Sequence, residues 1–271
     1  MCQRRELKLI NLGVRNRKGG IVEFIKTIIY ALLLAGLIRT LLFQPFWIPS
    51  GSMKPTLLVG DFIFVNKFAY GYSKYSCPLS FCPIANRLLA REPKRGDVVV
   101  FRHPVNGKDF VKRLIGLPGD VISLKNGRLS INNEEIQYIA QENFLEVKNS
   151  QGPLGSMPRC SNAPVPLGGD CEKEQAIEVL PDGLEYSVLN ITDSFGDNTP
   201  RFVVPSDNYF FLGDNRDNSL DSRFGSASGG VGFVEGKYLI GRADRIIFSS
   251  AGSSMLYIWT WRLNRFFKAV L

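Results

Sequence analysis

Histidine is nearly absent: His103 is the only one in 271 residues. A mixed Cys/His zinc site therefore lacks ligands, and neither a metal nor a cofactor is expected. A His-based catalytic triad would rest on this one residue, in the turn Phe101-Arg102-His103-Pro104. A concentrated basic face is lacking too. The net charge is +8, but residues 1–20 supply +5 of it, through Arg4, Arg5, Lys8, Arg15, Arg17 and Lys18 against Glu6. The other 27 basic and 24 acidic residues nearly balance, so no nucleic-acid partner is expected. No long amphipathic helix is visible between Gln44 and Ser250, and no repeat recurs at solenoid spacing.

What the chain does have begins with an apolar run behind the basic tail, Ile21 to Phe46, broken by Glu23, Lys26 and Arg39. Its uncharged centre, Thr27 to Ile38, is 12 residues. As helix that is about 18 Å, against a hydrocarbon core of ~30 Å. Lys26 and Arg39 stand at its edges and can snorkel, which lengthens the usable span. Arg39-Thr40-Leu41-Leu42 follows where a cleaved signal peptide would carry small residues. Residues 21–43 are accordingly expected to be one retained transmembrane helix in contact with membrane lipid. Residues 1–20 would then stay cytoplasmic, and the chain beyond Phe43 would be exported.

Cysteine usage suits this topology. Cys2 would face the reducing side, while Cys77, Cys82, Cys160 and Cys171 would face the oxidising one. Cys160 and Cys171 are expected to pair, which would contribute about 3 kcal/mol. Cys77 and Cys82 read equally as a second bridge or as two free thiols.

The exported part is β-rich. Short runs of β-branched and aromatic residues recur between turn signals: Phe62–Val65, Val98–Phe101, Phe110–Ile115, Val121–Leu124, Arg128–Ile131, Phe202–Val204, Tyr209–Leu212 and Tyr238–Ile240. Asn126-Gly127 is a hairpin signal, because both residues tolerate positive φ. Residues 141–200 are more polar and rich in Gly and Pro, as an insertion would be. The fold class expected is mainly β, an antiparallel sheet or barrel preceded by the helix. Its parts are a core of 44–125 and 202–254, an inserted β-rich subdomain of 126–201, and an aromatic and basic segment of 255–271. That last segment reads equally as a membrane-interface stretch and as a terminal helix packed on the domain.

Three stretches carry candidate chemistry. Pro49-Ser50-Gly51-Ser52-Met53-Lys54-Pro55-Thr56-Leu57 has small residues that let a hydroxyl protrude, flanked by stiffening prolines. On local chemistry alone, its serines could simply cap a turn. Asp109 to Asp120 contains Lys112, which strand alternation places with Phe110 and Leu114, away from Val111, Arg113 and Ile115. An ordinary lysine, with a pKa near ~10.4, is neutral in about one molecule in 2,500 at pH 7. Burial can lower that pKa by up to ~3–5 units and create a base. The plainer alternative is an edge strand with two solvated cations. Gly213 to Arg223 is dense in hydrogen-bonding groups. Ser222 and Ser228 stand where an EF-hand needs glycine and glutamate, so a bracing polar network fits better than a calcium loop.

Taken together and in order, these stretches resemble the bacterial type I signal peptidase family. The resemblance is carried by Ser50-Gly51-Ser52-Met53 with Pro55-Thr56-Leu57, then Arg95-Gly96-Asp97 before Val98–Phe101. Val111-Lys112-Arg113 with Gly116-Leu117-Pro118-Gly119-Asp120 follows, and Gly213–Arg223 closes the series. It implies a membrane-bound serine endopeptidase that removes signal peptides from exported preproteins, cutting after a small-x-small motif. Ser52 would be the nucleophile and Lys112 the general base. Ser50 and the Ser52 N–H would form the oxyanion hole, and Ser219 would orient the lysine. Arg113, Asp214, Asp221 and Arg223 would brace the site, while Ile48, Pro49, Met53, Leu57, Phe110 and Val111 would line the substrate pockets. Phe110 departs from the tyrosine often found there. A lysine base implies a bacterial or organellar enzyme, and a single anchor with the catalytic domain outside implies the plasma membrane of a bacterium. The rival readings are a self-cleaving repressor, for which too few residues precede the anchor, and a non-catalytic tethered β-domain.

Overall fold

The computed structural model describes residues 17–41, 43–76, 84 and 87–271. The expected tail through Asn16, and Cys2, Cys77 and Cys82, lie outside the described residues.

The first element is α1, Arg17–Leu41. Glu23 and Lys26 pair on its surface at 3.0 Å. Among the described residues no helix is long and apolar enough to cross a membrane. The expected transmembrane helix is thus not supplied by α1 on these criteria.

The rest is mainly β, in three antiparallel sheets. In chain order the strands are β1 (Phe43–Trp47), β2 (Asp61–Asn66), β3 (Val98–Arg102), β4 (Asp109–Gly116), β5 (Val121–Lys125), β6 (Arg128–Ile131), β7 (Glu134–Glu135) and β8 (Gln137–Ala140). They continue as β9 (Phe144–Val147), β10 (Asp170–Val179), β11 (Glu185–Asn190), β12 (Phe202–Val203), β13 (Asn208–Leu212), β14 (Val234–Glu235) and β15 (Leu239–Ser249). The largest sheet has seven strands in the order β1-β2-β15-β3-β4-β13-β14. A second sheet runs β11-β10-β8 with β9 also on β10, and a third runs β12-β5-β6-β7.

Three local features position the site. β4 is an interior strand between β3 and β13, with Lys112 opposite Val99 and Arg113 opposite both Val98 and Leu212. Both faces of its second half are therefore buried, and the solvated-edge alternative for Lys112 and Arg113 does not hold. The register of Leu212 on Arg113 delivers Gly213 and Asp214 beside the two cations. Residues 48–60 form the long loop of the β1–β2 hairpin, closed where Ile48 N donates to Asp61 O at 2.8 Å and Gly60 N to Ile48 O at 2.9 Å. Under that loop, Ile48, Met53 and Leu57 pack on Ile63, Val100 and Ile246 in a dry core, which fixes the loop as hydrophobic burial fixes any well-packed segment.

The eight strand runs read from the sequence all coincide with observed strands, wholly or at one end. Asn126 and Gly127 turn the β5–β6 hairpin with φ of 50° and 73°. Tyr238–Ile240 marks only the start of β15, whose eleven residues run on to Ser249. The segment from 255 is neither α-helix nor strand. It makes 3₁₀ turns at Ile258–Thr260 and Leu263–Arg265 and bridges β15 at Arg245–Ala269. The terminal-helix alternative fails because the buried Arg265 must reach Asp61, at 2.6 Å, and the Thr56 carbonyl, at 2.9 Å.

Cys160 and Cys171 are disulfide-bonded, as the sequence suggested, across a separation of 11 residues. Replacing both by alanine is expected to cost about 3 kcal/mol of stability through loop entropy. Urea unfolding of the full chain in detergent, compared with the unsubstituted protein, measures it.

Candidate active site

The β1–β2 loop and strand β4 meet across a cleft of about 940 Å³. Ser52 and Lys112 face each other there, with Lys112 Nζ 2.6 Å from Ser52 Oγ. Both are buried, at 8% and 3% exposure. Lys112 has no carboxylate within ion-pair distance among the described residues. Burial is the largest influence on its amine, and the more distant carboxylates of Asp221 and Asp214 offset only part of it. Together they bring the pKa from 10.5 down to about 8. A serine hydroxyl and a weakly basic amine in hydrogen-bond contact have the chemistry to act as a nucleophile and its proton acceptor.

Ser50 Oγ lies 3.4 Å from Ser52 Oγ, at the exposed rim. The Ser52 N–H donates to no group among the described residues. Ile48, Pro49, Met53, Phe110 and Val111 line the cleft. Leu57 does not. It is fully buried in the core under the loop, where its contacts hold the loop's shape instead of meeting a ligand.

The bracing network is dense. Arg113 grips Asp214 with two parallel bonds, Nε to Oδ1 at 2.8 Å and Nη2 to Oδ2 at 2.7 Å, the fork geometry that guanidinium and carboxylate share. Thr56 Oγ1 joins by donating to Asp214 Oδ2. Asp221 takes Arg223 Nε at 2.9 Å and the Gly213 N–H at 3.0 Å. Burial pushes the Asp221 carboxyl up, but the Arg223 guanidinium and the Gly213 N–H outweigh it and hold it below the usual range.

Ser219 is buried against Gly213, so closely that a Cβ on Gly213 would lie 2.2 Å from Ser219 Oγ and 2.7 Å from Ser52 O. Only glycine fits there. The Ser219 hydroxyl finds no hydrogen-bond partner among the described residues, so its expected bond to the lysine is not made in this structure.

Sequence reasoning missed two parts of the site. Asn215 reaches the carbonyls of Gly51 and Ser52. The second part is an ion cluster under the serine loop. Lys54 Nζ donates to Glu146 Oε2 at 2.5 Å and Gln151 Oε1 at 2.8 Å, while Lys173 bonds the other Glu146 oxygen. One carboxylate serves two buried ammonium groups. Burial therefore wins at Lys54 and lowers its pKa, whereas at Glu146 burial, which would raise the pKa, loses to the two lysines, which lower it. The cluster joins the loop to β9 and β10, and with Ser156 to Pro49 O and Arg159 to Asp217 O it makes residues 146–173 a wall of the cleft. No sequence signal announces it, since Lys54 and Glu146 are 92 residues apart.

Comparison with known proteins decides the family. The model of the signal peptidase family, peptidase S26, matches residues 21–248, most of the chain and every element of the cleft. The chain belongs to the signal peptidase family. Signal peptidase I of Rickettsia massiliae (strain Mtu5) is 37% identical over 82% of this chain and 77% of that protein. Signal peptidase I of Rickettsia typhi (strain ATCC VR-144 / Wilmington) is 38% identical over 82% and 78%. A solved signal peptidase I from Enterococcus faecalis V583 aligns at 24% identity over 56% of this chain and 97% of that one, with a TM-score of 0.30, too low to bear on the fold. As a member of peptidase S26 the protein is a serine peptidase, a hydrolase of peptide bonds.

In this S26 peptidase, Glu146→Gln would leave Lys54 and Lys173 buried without a counter-charge. Breaking a buried ion pair from one side typically costs ~3–5 kcal/mol. A loss of about 3 kcal/mol is expected, measurable as a lower urea midpoint, and Lys54→Met in the same background should recover part of it.

Proposed function

We propose that this chain is a type I signal peptidase, cleaving signal peptides from preproteins after a small-x-small motif through a Ser52/Lys112 dyad. The observation that carries the reading is the 2.6 Å contact between a buried serine hydroxyl and a buried lysine amine. The neutral amine of Lys112 takes the hydroxyl proton as Ser52 Oγ adds to the scissile carbonyl. The ammonium then returns that proton to the departing amine, leaving an acyl-enzyme. A water, deprotonated by the same amine, releases the peptide acid and restores Ser52. With a pKa of about 8, about one Lys112 in ten is neutral at pH 7. For an ordinary lysine the share is about one in 2,500.

Oxyanion stabilisation falls to the unengaged Ser52 N–H and the Ser50 hydroxyl, and losing one such donor typically costs ~2.7–4 kcal/mol of barrier. Ser219 stands as the group that steadies Lys112 during turnover. Its unpartnered hydroxyl leaves it free to take up the amine once that amine moves from serine to leaving group. Ile48, Pro49, Met53, Phe110 and Val111 supply apolar walls that admit small substrate side chains. Attachment to the membrane is part of the proposal. The apolar centre of α1, lengthened by snorkelling at Lys26 and Arg39, is its element, with the catalytic sheet on the outer side of a bacterial plasma membrane.

Incubation of the purified full chain in detergent with a preprotein tests the dyad. Ser52→Ala and Lys112→Ala are expected to fold normally and lose cutting by at least about 1,000-fold, in line with loss of a nucleophile or its base. Undiminished cutting by Lys112→Ala would remove the mechanism.

The pH profile follows from the sign of the lysine shift. Protonated Lys112 cannot accept the serine proton, so kcat/KM should rise about tenfold per pH unit below a midpoint of about 8 and level off above it. Stopped-time assays from pH 6 to 10 measure this, and a flat profile would exclude a lysine base.

A further inference from the structure

One buried residue holds the peptide planes on either side of Ser52, one through its side chain and one through its backbone. Asn215 is 1% exposed and sits on the segment that follows β13. Its backbone N–H donates to Ser52 O at 3.1 Å. Its side-chain Nδ2 donates to Gly51 O at 2.9 Å. The amide orientation is set by chemistry, because the opposite one would press Oδ1 against a carbonyl oxygen. Gly51 O also receives the Lys54 N–H at 3.2 Å, the turn's own bond.

These contacts have a geometric consequence. The Gly51–Ser52 peptide is trans, since the cis bonds lie elsewhere. In a planar trans peptide the C=O and N–H point in opposite directions. Holding Gly51 O down onto Asn215 therefore turns the Ser52 N–H the other way. That N–H is the donor left without a partner, in a residue that lines the cleft. Fixing Ser52 O as well immobilises the next plane. With both planes held, φ and ψ of Ser52 are set, and with them the direction of its Cα–Cβ bond. Asn215 spends only half of its amide on this task, because Oδ1 is buried without a partner among the described residues. An asparagine kept at the cost of an orphaned acceptor is explained by its donor.

We infer that Asn215 is a positioning residue for the oxyanion hole, acting through the Gly51 carbonyl to aim the Ser52 N–H. This rests on the Ser52/Lys112 reading above. Asn215 touches neither substrate nor reacting atoms in the proposal. Its side chain acts chiefly at the stage at which negative charge appears on the carbonyl oxygen, when the Ser52 N–H is called upon.

Asn215→Leu tests it. Leucine has a similar shape, keeps the backbone bond to Ser52 O and removes the orphaned acceptor together with the donor, so the fold is expected to survive. For the full chain in detergent, kcat on a preprotein should fall about 10- to 100-fold, part of the ~10²–10³ seen when an oxyanion donor is lost outright. KM should stay within about twofold, and the pH midpoint should stay where it is in the parent, since no charge has changed.

Two probes separate aim from shape. A peptide aldehyde adds the Ser52 hydroxyl across its carbonyl to give a tetrahedral hemiacetal, whereas the matching peptide alcohol binds without forming a bond. In Asn215→Leu the aldehyde should lose about the same factor as kcat and the alcohol nothing. An unchanged kcat, or equal losses for aldehyde and alcohol, would overturn the inference. Ser52→Ala, run alongside, keeps the two levels apart: if it still cuts, the dyad reading falls, whatever Asn215 does.

Discussion

An ammonium group loses several kcal/mol of hydration when it leaves water, and a protein that buries one must supply a counter-charge or let the proton go. The cleft holds both solutions within a few residues of each other. Lys54 is given a carboxylate, Glu146, in direct contact. Lys112 is given a serine hydroxyl and the face of Phe110, with Asp214 and Asp221 turned toward arginines instead. Withholding a direct partner from Lys112 is the constraint from which the rest of the site follows. Those two carboxylates must be satisfied by Arg113 and Arg223, or they would pair with the lysine and return its pKa to the ordinary range.

The arginine pairs thus have a purpose beyond stability. Burying ion pairs is a poor way to stabilise a fold, since desolvation offsets most of the attraction. Here they sequester negative charge. Asp214 is taken up by Arg113 and Thr56, Asp221 by Arg223 and the Gly213 N–H. What reaches Lys112 is their field at a distance, enough to moderate the effect of burial without cancelling it. The interior position of β4 serves the same end. The strand's pairing on both sides fixes Lys112 in register, and what packs over its face leaves the lysine only 3% exposed.

Much of this was legible in the sequence where the relevant residues are close together. Alternation in β4 put Lys112 and Arg113 on opposite faces, and the small residues of Ser50-Gly51-Ser52 marked the turn that presents a hydroxyl. The eight strand runs were visible because apolar residues occupy their inward positions. β10 was not visible, because two of its inward residues are Lys173 and Glu178, and a strand whose buried positions are charged has no hydrophobic period to detect. Its partners, Glu146 for one and Arg216 with Tyr186 for the other, become apparent only after folding. Leu57 was misassigned for a related reason: the family resemblance, with nearness to Ser52 in sequence, suggested the cleft, whereas the loop turns that side chain inward. The same turn explains Asn215, whose amide acts on residues 164 positions earlier.

Distances along the chain carry one more implication, for the order in which the parts are made. The loop bearing Ser52 is tied to Glu146, to Asn215 and, through the Thr56 carbonyl, to Arg265, which lies 209 residues downstream of that threonine. Translation proceeds from the N-terminus, so a nascent chain exposes its serine long before the residues that fix it have left the ribosome. The loop around Ser52 therefore takes its final shape only after the chain has been made as far as Arg265.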